Sequence, residues 1–164
     1  MEIILLTVGK TSQSYVKTGF EDFQKRLSHY ITFKNEAIPD IRIAKSTPPA
    51  LQKEKEGEAI LSYLSPSDFC ILLDENGKEY TSLEFSSRLG KVLNSGRKRA
   101  VFVVGGPYGF SNDVYRRADD KLSLSKMTFT HEMVRLFFIE QLYRAFTIMK
   151  GEPYHHPVSY TNRT

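Results

Sequence analysis

Apolar and polar positions fall in blocks along this chain, and the period changes from block to block. Residues 2–8 carry the unbroken run Ile3-Ile4-Leu5-Leu6 with Gly9-Lys10 behind it, which predicts a buried first strand. Over 14–27 the period lengthens, with Tyr15, Phe20, Phe23 and Leu27 at helical spacing. Residues 33–38 and 41–43 are short strand candidates separated by Pro39. Thr47-Pro48-Pro49 opens a helix running to about Leu64, because proline suits a helix's first turn. Its run Lys53-Glu54-Lys55-Glu56 is expected to form a solvated face.

A second buried strand spans 69–73, ending at a turn across Asp74-Glu75-Asn76-Gly77-Lys78, where asparagine and glycine accept positive φ. Thr81 and Glu84 have capping-box spacing, so a helix is expected from Ser82 to about Asn94. Gly96 and the basic run Arg97-Lys98-Arg99 close it as a solvated loop. Residues 100–104 form another buried strand, stopped by Gly105-Gly106-Pro107. Ser111 caps a short helix to Ala118, 121–124 is a short strand, and Thr130 caps a long helix from His131 to about Lys150. Continuous apolar strands alternating with helices mean an α/β fold with a parallel sheet covered on both faces. One domain is expected over 1–156, with 157–164 as a flexible extension.

Composition narrows this picture. A chain of 164 residues buries a core without disulfides, and 40% hydrophobic with 26% charged residues is globular rather than disordered. No apolar stretch approaches the roughly 20 residues of a membrane span, and no secretory leader is visible. Cys70 is the single cysteine and is expected as a buried core thiol. No thiol cluster suggests a metal, so a metal-free cytoplasmic protein is expected. A net charge of +4 and a pI near 9.1 are compatible with a polyanionic partner.

Ligands of open α/β sheets sit at the carboxyl ends of strands. Three ends stand out here: Leu73-Asp74, Val104-Gly105-Gly106-Pro107, and the segment Leu124, Ser125, Lys126, Met127, Thr128, Phe129. The glycine pair permits close backbone approach, but the GxGxxG and GxxxxGK[ST] spacings are missing. Taken alone, the glycine pair is a tight turn and 124–129 an ordinary strand-to-helix loop. His131, His155 and His156 lie near these segments; a histidine moves protons near neutral pH, yet each alone reads as a surface residue. Arg135 and Arg144 on the last helix read equally as salt-bridge partners or as RNA phosphate contacts.

The ordered set of motifs resembles the SPOUT-class RNA methyltransferases, and more narrowly the family that methylates N3 of a pseudouridine in large-subunit ribosomal RNA. The carrying residues include Leu6-Thr7-Val8-Gly9-Lys10, Lys55-Glu56-Gly57-Glu58, Leu73-Asp74-Glu75-Asn76-Gly77-Lys78 and Val103-Val104-Gly105-Gly106-Pro107-Tyr108-Gly109. They continue with Leu122-Ser123-Leu124-Ser125-Lys126-Met127-Thr128, Glu140-Gln141-Leu142-Tyr143-Arg144-Ala145 and Gly151-Glu152-Pro153-Tyr154-His155. The resemblance covers Met1 to His156 in order.

It implies a parallel-sheet SPOUT fold whose C-terminal part is tied into a trefoil knot, an arrangement sequence reasoning alone does not propose. It implies S-adenosylmethionine as cofactor, held at Leu73, Gly105 and Leu124, Ser125, Lys126, Met127, Thr128 and Phe129. It implies a homodimer acting on ribosomal RNA in the assembled ribosome, with each active site drawing on both subunits. Arg144, Tyr154 and His155 are its expected catalytic residues. The N3 proton must leave the ring, and either His155 as base or Arg144 as anion stabiliser would assist. Thr130 departs from the proline of many relatives, and the chain runs on past Pro157. Three alternatives stay open: a SPOUT enzyme for another RNA position, such as in tRNA; a non-catalytic ribosome-associated RNA-binding protein; and a nucleotide-binding α/β enzyme such as a flavodoxin-like protein, against which the missing phosphate-loop and dinucleotide spacings argue.

Overall fold

The computed structural model describes residues 1–41 and 46–156. Among them run five strands: β1 (Glu2–Val8), β2 (Thr32–Ile38), β3 (Phe69–Glu79), β4 (Arg99–Val104) and β5 (Asp120–Ser123). Five helices alternate with or follow them: α1 (Ser14–Leu27), α2 (Pro49–Tyr63), α3 (Ser82–Leu93), α4 (Asn112–Arg117) and α5 (His131–Met149). All strand pairings are parallel, in the order β2-β1-β4-β3-β5.

The period-2 geometry of a strand sends successive side chains to opposite faces, and each apolar run therefore feeds two cores. Ile3, Leu5, Ile71 and Phe102 pack with α1, α3 and α5. Ile4, Leu6, Leu72, Val101 and Val103 pack on the other face with Ile60 of α2 and Val114 of α4. Cys70 lies in that second core, fully buried. The expected helix caps are present: Thr81 and Glu84 form a reciprocal capping box, and Ser111 and Thr130 each accept an N-terminal amide.

Three sequence expectations are corrected. β3 does not end at Leu73 but runs to Glu79, its pairing with β5 shifting between Leu73 and Lys78. Gly77 serves close approach there, not positive φ: a Cβ on it would lie 2.8 Å from the backbone of Lys121 and Leu122. Second, the run Lys53–Glu56 is not wholly solvated, since Glu56 is 2% exposed. Third, the basic run that enters β4 is structural at Arg97 and Arg99. Arg97 donates to the carbonyls of Ser67 and Asp68, and Arg99 donates twice to the buried Asp68 carboxylate, at 2.9 and 2.7 Å. The strand expected at 41–43 falls in part, and the tail 157–164 wholly, outside the described residues.

Candidate active site

The carboxyl ends of β3 and β4 and the segment between β5 and α5 enclose an open cleft of about 680 Å³. Its walls include Leu73, Gly105, Leu124, Ser125, Met127, Thr128 and Phe129, seven of the eight residues expected to hold a cofactor. Lys126 is the exception. Its side chain is 88% exposed and stands 3.9 Å from Glu79, outside the cleft wall. Only its backbone shares the segment that borders the cleft.

One wall is a tight turn. The amide of Gly109 donates to the carbonyl of Gly106 at 3.2 Å, with Pro107 and Tyr108 between them. Gly109 holds φ +79°, a conformation that favours glycine. Gly105 packs on the ring of Phe110, and Gly106 sits on the carboxylate of Glu56. Burial pushes the Glu56 carboxyl above its usual range, the Gln52 amide opposing and the charge of Asp40 adding to the shift. The glycine pair is therefore thin because the wall behind it is full.

The adjoining wall is held by side chains. Tyr115 of α4 donates its hydroxyl to Asp74, while Asp74 also accepts from the Asn76 amide at 3.0 Å. Burial and that carboxylate push the Tyr115 phenol up to about 12. Thr128 donates to Glu75 at 3.1 Å, joining the 124–129 segment to the end of β3. The amides of Thr128 and Phe129 have no partner among the described residues, leaving donors free beside the cleft. An adenosyl group fits such a cradle: apolar walls for the ring and free backbone donors for its edge.

The floor is the start of α5, through Thr130, His131 and Val134. Its adjacent face anchors the loop after β1. Glu132 accepts from the Ser12 amide at 2.6 Å, the Ser12 hydroxyl at 2.8 Å and the Gln13 amide at 2.9 Å. Arg135 donates to Thr11 Oγ1 at 3.0 Å and to the Val8 carbonyl at 3.1 Å. Arg135 is 1% exposed and stands 3.8 Å from Glu132, so of its two sequence readings the salt-bridge partner holds and the RNA phosphate contact does not.

Arg144, Tyr154 and His155 form a second group, outside the cleft wall. Arg144 Nη2 donates to Glu140 Oε1 at 2.5 Å, and Tyr154 donates its hydroxyl to the same oxygen at 3.0 Å. Arg144 Nη1 meets His155 Nδ1 at 3.1 Å, and the guanidinium lies 4.7 Å over the Tyr154 ring. Burial, then Glu140, raise the Tyr154 phenol above its usual range. His131 begins α5 at the cleft, whereas Arg144 lies thirteen residues on, about 20 Å along the helix axis at 1.5 Å per residue. The structure brings the three expected catalytic residues together, but not onto the cleft of their own chain. His156 is exposed.

Glu56, Tyr115, Glu132 and Glu140 escaped assignment as site residues. Glu56 is disguised by the lysines around it. Tyr115, Glu132 and Glu140 act on partners 41, 120 and 14 residues away, which no local pattern records.

Residues 1–155 match the family profile described as "Predicted SPOUT methyltransferase". The chain belongs to the SPOUT methyltransferase family. It is 58% identical to the Ribosomal RNA large subunit methyltransferase H of Flavobacterium psychrophilum over 156 residues, covering 95% of this chain and 99% of that one. The protein of the same name from Parabacteroides distasonis is 56% identical over the same span. Among solved structures, the tRNA (m1G37) methyltransferase from Aquifex aeolicus superposes with a TM-score of 0.52 at 15% identity, covering 98% of this chain and 76% of that one. That likeness is one of fold.

Proposed function

We propose that this chain transfers a methyl group from S-adenosylmethionine to N3 of a pseudouridine in large-subunit ribosomal RNA. The observation that carries the reading is the convergence of Leu73, Gly105 and the 124–129 segment on one cleft, in a chain more than half identical to ribosomal RNA large subunit methyltransferases. Bound in that cleft, S-adenosylmethionine supplies an electrophilic methyl group on a sulfonium. The protein's task is placement, and fixing two reactants in attack geometry is worth about 7–11 kcal/mol. Leu73, Gly105 and the free amides of Thr128 and Phe129 hold the cofactor; the C-terminal part of the domain closes into the trefoil knot of the family.

Arg144, Tyr154 and His155 bind the target ring. Their distance from the cleft of their own chain supports a homodimer in which they serve the cleft of the partner. The enzyme works in the cytoplasm on the assembled ribosome, whose shaped surface supplements the few phosphate contacts a small domain of charge +4 offers.

Mass spectrometry of ribosomal RNA from cells with and without the protein tests enzyme class, substrate and position together. Loss of one methylated pseudouridine is expected; an unchanged profile refutes the reading. The shared site has its own test. Gly105→Trp and Arg144→Ala, each inactive alone, should regain activity when mixed and allowed to exchange subunits. No recovery despite exchange means that each chain completes its own site.

A further inference from the structure

The contact between Arg144 and His155 fixes more than a position. A guanidinium has five donors and no acceptor, and it stays protonated. Its approach to His155 Nδ1 at 3.1 Å is therefore a hydrogen bond only if Nδ1 carries the lone pair. The ring is then neutral, with its proton on Nε2.

The surrounding bonds hold Arg144 in that role. Glu140 takes its other nitrogen, Nη2, and Glu140 Oε2 is in turn held by Gln141 Nε2 at 2.9 Å. Tyr154 stacks under the guanidinium and spends its own proton on Glu140. The remaining titratable and charged groups tied to this cluster are Tyr143 of α5, Arg26 of α1, Tyr30 after α1, and Glu152. Arg26 lies over the Tyr143 ring, and Tyr30 donates to Glu152. Among the described residues, Arg144 alone bonds the His155 ring.

We propose that His155 meets the target ring as a neutral imidazole donating from Nε2 to a carbonyl oxygen beside N3, and that it does not accept the N3 proton. This rests on the catalytic placement of the cluster proposed above. The same bonds disqualify its neighbours as bases: Tyr154 holds its proton for Glu140, and Arg144 is already protonated. The N3 proton thus leaves to solvent water or hydroxide. The negative charge left on the ring spreads over N3 and the two flanking carbonyl oxygens, where the Nε2 donor and the Arg144 charge stabilise it. The N3 lone pair then forms the bond to the methyl carbon, and the carbon–sulfur pair returns to sulfur as a neutral thioether.

Two measurements test this. Nitrogen NMR of histidine-labelled protein, with the His155 signal assigned by its loss in His155→Gln, reads the tautomer without any turnover. An Nε2-protonated neutral ring at pH 7.5 is expected; an Nδ1-protonated or charged ring overturns the proposal. Kinetics on ribosomes supply the second. His155→Ala should slow turnover about 10²–10³-fold, the usual cost of one anion-stabilising donor. His155→Gln places an amide donor near Nε2 and should recover about tenfold or more of that loss, which no lost base allows. The pH profile of kcat/KM should keep rising above pH 7.5, following ionisation of the substrate; a histidine base of ordinary pKa, about 6.5, would level off. Equal slowness of the Gln and Ala variants, or such a plateau, overturns the donor role. Full activity of His155→Ala instead refutes the catalytic placement on which the proposal rests.

Discussion

The carboxylate of Glu56 stands under the α-carbon of Gly106, where one added methyl would lie 2.3 Å from Oε2 and 2.4 Å from Oε1. Gly106→Ala must displace either the buried carboxyl or the turn that walls the cleft. Overpacking of this kind costs about 1–3 kcal/mol. Calorimetry should show S-adenosylmethionine affinity down about tenfold or more, each tenfold being about 1.4 kcal/mol. Gly90→Ala, whose Cβ would meet only Met149 Sδ at 3.7 Å, is the matched control and should bind normally. Glu56 adds a sign. Its carboxyl is raised on folding, so the charged form is disfavoured and stability is lost as pH rises through that raised value. Glu56→Gln should therefore melt higher than wild type at pH 7, the gain vanishing near pH 4.

Glu132 carries the opposite sign. Burial pushes its carboxyl up, but the amides of Ser12 and Gln13, the Ser12 hydroxyl and Arg135 outweigh burial and leave it below the usual range. A carboxyl lowered on folding contributes stability above its unfolded value, about 4.5, and that contribution is lost as pH falls through the folded value. Denaturant melts at pH 7 and at successive values below 4.5, at one protein concentration, should show wild type losing stability more steeply than Glu132→Gln. Arg135→Met breaks the buried pair and should cost about 3–5 kcal/mol at pH 7. A loss below 1 kcal/mol would mean the pair contributes nothing to holding the β1–α1 loop.

Arg144→Lys preserves charge but not shape. Arg144 reaches Glu140 and His155 from two nitrogens at once, a fork that a single ammonium does not reproduce. Single-turnover methylation should slow about tenfold or more. Cofactor affinity should stay at the wild-type value, because Arg144 bonds Glu140 and His155 and none of the residues proposed to hold the cofactor. Parallel loss of both would reduce Arg144 to a structural brace.

Cys70 should be chemically silent. Burial pushes its thiol up to about 12, and its side chain has no exposed surface. A thiolate is the reactive species, so a thiol reagent at pH 8 should leave native protein unmodified and label one site after denaturation. Rapid labelling of the native protein would contradict the packing of β3 against α2 and α4.

The parts of this molecule legible in sequence are those with local causes. The apolar runs at Ile3–Leu6 and Val101–Val104, and the caps at Thr81, Ser111 and Thr130, state their structure within a few residues. Asp74-Glu75-Asn76-Gly77 misled because the same glycine serves a turn and a crowded backbone, and only the approach of β5 decides between them. Arg135 and Arg99 look like surface cations until their long-range acceptors are known. The segments expected to hold the cofactor are legible only through family resemblance, since neither glycine pair nor loop has a shape of its own until Glu56, Tyr115 and Glu75 give it one.

β1 sits inside the sheet, yet its partner β4 lies almost a hundred residues downstream, Glu2 pairing with Arg99. On a ribosome making about 5–20 residues per second, the first strand waits several seconds for that neighbour to be synthesised. Its Ile3-Ile4-Leu5-Leu6 run meanwhile has one exposed edge and little cover, a substrate for holding chaperones. Parallel, non-local pairing of this kind is slow to form even once the chain is complete. The 124–129 segment and α5 follow later still, so the nascent chain acquires the cleft proposed for the cofactor last. Ligand supplied during synthesis can trap finished molecules but has nothing to bind in the growing ones.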